Sequence, residues 1–261
     1  MGGEAVRQER LGAVAVITLC RPLEGNPIDP PLVEALAEAL DPLAHEEGVR
    51  LVLLTGEGKA FSAGPFPPEG LLPLPPDPSK ARAHLERWQV ARRLLTFPKP
   101  VVGVANGPAV GQGLELFLSC DLRLASERAL FQLPHLRYGL LPWDGGSQLL
   151  PRIVGRAWAQ DMLLTGREVS AQEGLRLGIV HRVVPSTTLL QEAMAVAQSV
   201  AQVAPIAAQY AKEAVWKGVD LPLEHALRLE ADLNIILQST RDRAEGIRSF
   251  LERRRPTYEG R

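Results

Sequence analysis

Two polar residues in an apolar, glycine-rich stretch are spaced to do chemistry. In KPVVGVANGPAVGQGLELFLSCD, residues 99–121, Gln112 and Glu115 stand three apart, so they share one face if the segment is helical. The stretch predicts a buried strand over 101–105, a glycine-rich turn over 106–113 and an apolar helix whose one acid is Glu115. The first amides of a helix lack internal partners and carry the positive end of its dipole, so they hold an anion, or an oxygen about to become one. Glycine lets such a turn approach a ligand closely. A backbone donor at Gln112 and a carboxylate at Glu115 would then face one pocket, the first polarising a carbonyl and the second moving a proton beside it.

The elements that must position this pair follow from the pattern of the chain. Residues 5–10 and 13–19 predict two strands joined at Leu11-Gly12. A proline-bounded loop spans 21–27, and Asp29 is placed to cap a helix over 30–45 with Leu32, Leu36 and Leu40 on one stripe. VRLVLLT, 49–55, reads as a buried strand, with GEGKAFSAG, 56–64, as the loop at its carboxyl end. Residues 65–78 hold seven prolines and predict a surface loop with the character of a lid. A helix over 79–96 precedes the central stretch. After it come short strands over 121–125 and 129–132, a loop over 134–146 and helices over 147–154, 157–164 and 171–177, the first interrupted at Pro151. A strand over 180–184 closes the alternation, and amphipathic helices run from 188 to 254. The division is an α/β core over 1–185 and a helical extension over 186–261, whose apolar positions (Leu221, Leu223, Leu227, Leu233, Ile236, Leu237) need burial on the core or on another subunit.

Composition narrows the function classes. With 29 basic and 30 acidic side chains, nothing points to nucleic acid or an anionic membrane as partner. Two cysteines give no disulfide framework, and the five histidines show no metal-ligand spacing, so no metal is expected. No apolar run approaches the roughly 18 residues of a spanning helix, the amino-terminal residues lack the apolar core of a signal peptide, and a cytoplasmic location is expected. GQG lacks the further glycine of a dinucleotide fingerprint, and GEGKA lacks the hydroxyl residue that a P-loop carries after lysine. No nucleophile elbow is present.

Five segments, GEGKAFSAG (56–64), residues 99–121, FQLPHLRYGLLPWDGGSQLLPRIVG (131–155), LLTGREVSAQEGLRLGIVHRVVP (163–185) and EGIRSFLERRRP (245–256), together resemble the enoyl-CoA hydratase/isomerase, or crotonase, family in order and spacing. The resemblance implies a spiral core of repeated ββα units with C-terminal helices that form trimers. It also implies an acyl-CoA thioester substrate whose oxygen lies between two backbone amides while an enolate develops. Coenzyme A then enters as part of the substrate, with no covalently bound cofactor, and the partners expected are copies of the same chain in a homotrimer or dimer of trimers.

Carried onto this sequence, the resemblance makes the Gln112 amide one oxyanion donor and Glu115 the first catalytic glutamate. The second glutamate of the hydratases falls on His135, which can serve as acid or base near neutral pH. The other oxyanion amide falls on Pro65, which has no amide hydrogen, so Phe66, a water or a side chain would have to substitute. Phe66 itself stands where the family carries an aspartate. Asp144, in PWDGG, resembles the loop acid of naphthoate synthases and relatives that make or cleave carbon bonds. It would be a base, a partner for a substrate hydroxyl, or a cap for the helix starting near Gly146. A non-catalytic acyl-CoA-binding role is the further alternative. For coenzyme A, the resemblance implies the segment from Leu23 to Ile28, Asn26 included, the Ala63-Gly64 backbone and Gly111, with Phe250 and Arg253 reaching the nucleotide of a neighbouring subunit; arginine suits a phosphate.

Overall fold

The computed structural model describes residues 4–261. Its strands are β1 (Val6–Leu11), β2 (Val14–Leu19), β3 (Leu51–Gly56), β4 (Val101–Ala105), β5 (Ala109–Val110), β6 (Leu122–Ser126), β7 (Leu130–Gln132), β8 (Val169–Ser170) and β9 (Arg182–Val184). Its helices are α1 (Pro30–His45), α2 (Pro78–Glu86), α3 (Ala91–Thr96), α4 (Gln112–Leu118), α5 (Gly146–Val154), α6 (Arg156–Thr165), α7 (Ala171–Leu177), α8 (Leu189–Ala201), α9 (Pro205–Gly218), α10 (Leu223–Leu237) and α11 (Arg241–Leu251).

The apolar runs of the first half become one six-stranded sheet, ordered β1-β2-β3-β4-β6-β9. The β1–β2 hairpin is antiparallel and every later pairing in this sheet is parallel. β2 and β4 are buried along their whole length, as parallel strands covered on both faces require. One face packs against α1, through Leu32, Leu36 and Leu40, and the other against α8, through Leu189, Ala193 and Ala197. α1 begins as its sequence indicates, with the Asp29 carboxylate accepting from the Leu32 amide at 3.0 Å. A small second sheet, β5-β7-β8, lies at the carboxyl end of β4. No helix among the described residues is long and apolar enough to cross a membrane.

Three elements differ from expectation. The helix expected over 79–96 is two, α2 and α3, because Asp144 takes the amides of Val90 and Ala91 and starts a new helix there. Pro151 does not interrupt α5: it costs the helix one hydrogen bond, while Leu149, Leu150 and Val154 stay buried on the core. β9 starts at Arg182 because the Val180 amide instead bonds the Gly174 carbonyl at the end of α7.

Candidate active site

The glycine-rich turn places α4 with its amino end toward the loop that follows β3. Gly111 precedes the helix at φ +59°, a conformation that side chains with a Cβ rarely adopt. Ser62, in FSAG, forms an isolated parallel bridge with Ala109, and the Val110 amide bonds the Ser62 carbonyl at 2.9 Å. The two loops expected to carry the oxyanion donors are therefore side by side.

Glu115 is fully buried one turn into α4. Its Oε1 accepts from the Gly146 amide at 2.7 Å and the Asp144 amide at 3.0 Å. These N–H groups, at the positive end of α5, replace water around a buried acid. Its Oε2 has no hydrogen-bond partner among the described residues and lies 3.5 Å from His135 Nε2. His135 opens a 3-10 turn over His135–Tyr138, is fully buried, and leaves both ring nitrogens without a hydrogen-bond partner among the described residues. A free carboxylate oxygen beside an imidazole is an acid–base pair ready to exchange protons with something bound between or above them.

Gln112 contributes its backbone to the end of α4 and its side chain to a brace. Nε2 donates to the Trp88 carbonyl and, at 3.0 Å, to Asp144 Oδ2, so the side chain turns toward α3. Asp144 is 4% exposed, and both of its oxygens are engaged. Oδ2 accepts from Val90 N at 2.8 Å and from Gln112, and Oδ1 accepts from Ala91 N at 3.0 Å. Burial first, then the Glu115 charge, push its carboxyl up to about 7, against the pull of these donors. Asp144 is thus not the cap of the helix at Gly146. The residue before α5 is Gly145, which gives no side-chain cap, and the acid that takes an α5 amide is Glu115. Asp144 caps α3 instead.

Pro65 is exposed. Phe66 turns its ring onto His135, with Trp143 and Tyr138 completing an aromatic group. Sequence reasoning had no access to Trp88, Trp143 or the Val90 and Ala91 amides as parts of the site. Only Trp143, beside Asp144 in PWDGG, carried a positional hint.

The remaining residues implied for coenzyme A fall into two groups, the 23–26 turn with Ala63 and Gly64, and Phe250 with Arg253. Leu23 is fully exposed. Asn26 is fully buried at φ +54°, its Nδ2 donating to the carbonyls of Glu57, Ala60 and Phe61. Its side chain braces the loop after β3 and is not offered to a ligand. The Ala63 amide bonds the Gly25 carbonyl at 2.8 Å, which holds the 23–26 turn against Ala63 and Gly64. Phe250, on α11, is 81% exposed, and Arg253 is exposed just beyond the helix.

The sequence model of the enoyl-CoA hydratase/isomerase family matches residues 9–261. The chain is 38% identical over 248 residues to (E)-benzylidenesuccinyl-CoA hydratase of Thauera aromatica, covering 95% of this chain and 96% of that one. It is 35% identical over 255 residues to 2,3-dehydroadipyl-CoA hydratase of Escherichia coli, covering 98% and 97%. A crystal structure of enoyl-CoA hydratase from Bacillus anthracis matches with a TM-score of 0.91 and 34% identity, covering 98% of this chain and 100% of that one.

Proposed function

The chain belongs to the enoyl-CoA hydratase/isomerase family, and we propose that it adds water to the double bond of a 2-enoyl-CoA thioester. The observation that carries this reading is the buried Glu115 Oε2, which has no hydrogen-bond partner among the described residues and lies 3.5 Å from His135 Nε2, on the helix that begins at the Gln112 amide. The Gln112 N–H polarises the thioester oxygen. Glu115 Oε2 takes a proton from water as the water oxygen bonds C3. The double-bond pair moves through C2 onto the thioester oxygen, where the amide stabilises the enolate. Protonated His135 delivers a proton to C2 and the carbonyl re-forms. Glu115 then holds one proton more and His135 one fewer, and their contact gives the proton a direct way back. Because Pro65 supplies no N–H, the Phe66 amide is the substitute second donor on this loop. One such donor is typically worth about 10²–10³ in rate.

The alternative in which Asp144 is the base is less well supported, since both of its oxygens already accept N–H donors. The exposed Leu227, Ile235, Ile236 and Ile247 support a homotrimer or dimer of trimers, in which Phe250 and Arg253 reach a neighbour's coenzyme A. Sedimentation velocity at micromolar concentration returning a monomer would refute that assembly.

Turnover of crotonyl-CoA, followed at the loss of conjugated thioester absorbance, tests the chemistry. Glu115→Gln keeps an oxygen for the Asp144 and Gly146 amides and should lower kcat by about 10²–10⁴-fold, with acetyl-CoA binding by calorimetry retained. Wild-type protein that binds acetyl-CoA and turns over no enoyl thioester would sink the hydratase reading in favour of a binding role.

A further inference from the structure

Phe66 is the side chain at the catalytic pair for which the proposed chemistry has no use. Its ring meets the His135 imidazole at 4.7 Å and 77°, lies nearly parallel to the Trp143 indole at 6.0 Å and 13°, and meets Tyr138 at 5.6 Å. It also rests on Gly111, where a Cβ would fall 2.5 Å from a ring carbon. Gly111 immediately precedes the Gln112 amide, so the ring covers the end of α4 where the thioester must lie. Close by, Glu115 Oε2 and both His135 nitrogens are buried without hydrogen-bond partners among the described residues. A benzene ring cannot satisfy them, and interiors built only for stability avoid such atoms. The segment that brings the ring in is PFPP, whose three prolines have no N–H with which to pair into a sheet.

We propose that Phe66 occupies the place of the substrate's acyl tail in the free protein, and that the aromatic walls it vacates select a flat, aryl-bearing acyl group. This rests on the hydratase reading and names its substrate class. Entry of a thioester breaks the contacts of the Phe66 ring with His135 and Trp143. An alkyl tail covers the same walls but cannot restore edge-to-face and stacked geometry, whereas a phenyl group on C3 restores both. Each aromatic pair contributes about 2- to 13-fold in binding beyond the area it buries, and Trp143 and His135 offer two. Tyr138, half exposed, forms the rim.

Saturated esters isolate binding from turnover. Calorimetry with 3-phenylpropanoyl-CoA and 3-cyclohexylpropanoyl-CoA compares a flat ring with a bulkier, fully saturated one. The phenyl ester should bind about 10-fold tighter to the wild type. Trp143→Leu should erase most of that preference, and Phe66→Ala should tighten both esters while keeping it. Equal binding, or tighter binding of the cyclohexyl ester, overturns the proposal with no variant needed. So does Phe66→Ala weakening both esters in a protein whose melting curve shows it folded, since Phe66 would then be a wall of the pocket and not its occupant. Crotonyl-CoA turnover without phenyl preference would defeat this inference alone. Failure of every CoA ester, acetyl-CoA included, to bind would defeat it together with the hydratase reading.

Discussion

Replacing Asp144 with asparagine removes a charge that the fold holds at a cost. Burial and the neighbouring Glu115 carboxylate raise the Asp144 carboxyl to about 7, against an unfolded value of about 3.9. Between those values the folded chain keeps a proton that the unfolded chain has released. The stability this contributes is fully present below about pH 4 and is lost as pH rises through 7. The shift amounts to about 4 kcal/mol at most. Asparagine does not titrate, so urea unfolding of the two proteins in parallel isolates the effect. From pH 4.5 to 8 the wild type should lose up to about 3 kcal/mol relative to Asp144→Asn, with a flat difference above pH 8. Introducing Glu115→Gln into both proteins removes one of the two causes and should shrink the slope without abolishing it, because burial is the larger cause. At pH 8, Asp144→Asn should lower turnover less than about 10-fold, whereas loss of a general base costs about 10²–10⁴. A pH-independent difference would mean that the N–H donors of Val90, Ala91 and Gln112 outweigh burial. A large loss of turnover in a stable protein would return Asp144 to the chemistry.

Gly111→Ala forces a Cβ into a left-handed turn and against the Phe66 ring. It should cost at least about 1–2 kcal/mol by denaturant titration, and an unchanged midpoint would show that the turn can flatten. Lys212→Met breaks a largely buried ammonium that spans Asp121 Oδ2 at 2.8 Å and the carbonyls of Leu94 and Lys99 at 3.0 and 3.2 Å. With the Asp121 side chain 30% exposed, the loss should fall near the lower end of the buried-pair range, about 3 kcal/mol. A loss under about 1 kcal/mol would mean that water replaces the ammonium.

Two aspartates show why part of this protein is legible in its sequence and part is not. Asp29 and Asp144 do the same physical work, a carboxylate accepting the free amides at the start of a helix. Asp29 serves α1, three residues away, and the pattern of Asp, Pro and a leucine stripe states this locally. Asp144 serves α3, more than fifty residues back, and the pairing exists only because the chain returns past α4. The acid expected to cap α5 therefore does not, and Glu115 takes the Gly146 amide in its place. Buried strands such as β2 and β4 are legible for the same reason as Asp29: continuous apolar runs need no knowledge of their neighbours. Gln112 and Glu115 were legible as a pair because helical spacing is local, yet what each one touches was not. Gln112 reaches Asp144 with its side chain, and Glu115 reaches the Asp144 amide with its own. The two acids thus cap each other's neighbouring helices across a single buried network. A change that looks in sequence like the loss of a helix cap at 144 is physically a change in the surroundings of the buried Glu115 carboxylate, and its effects on stability and on turnover must be measured together.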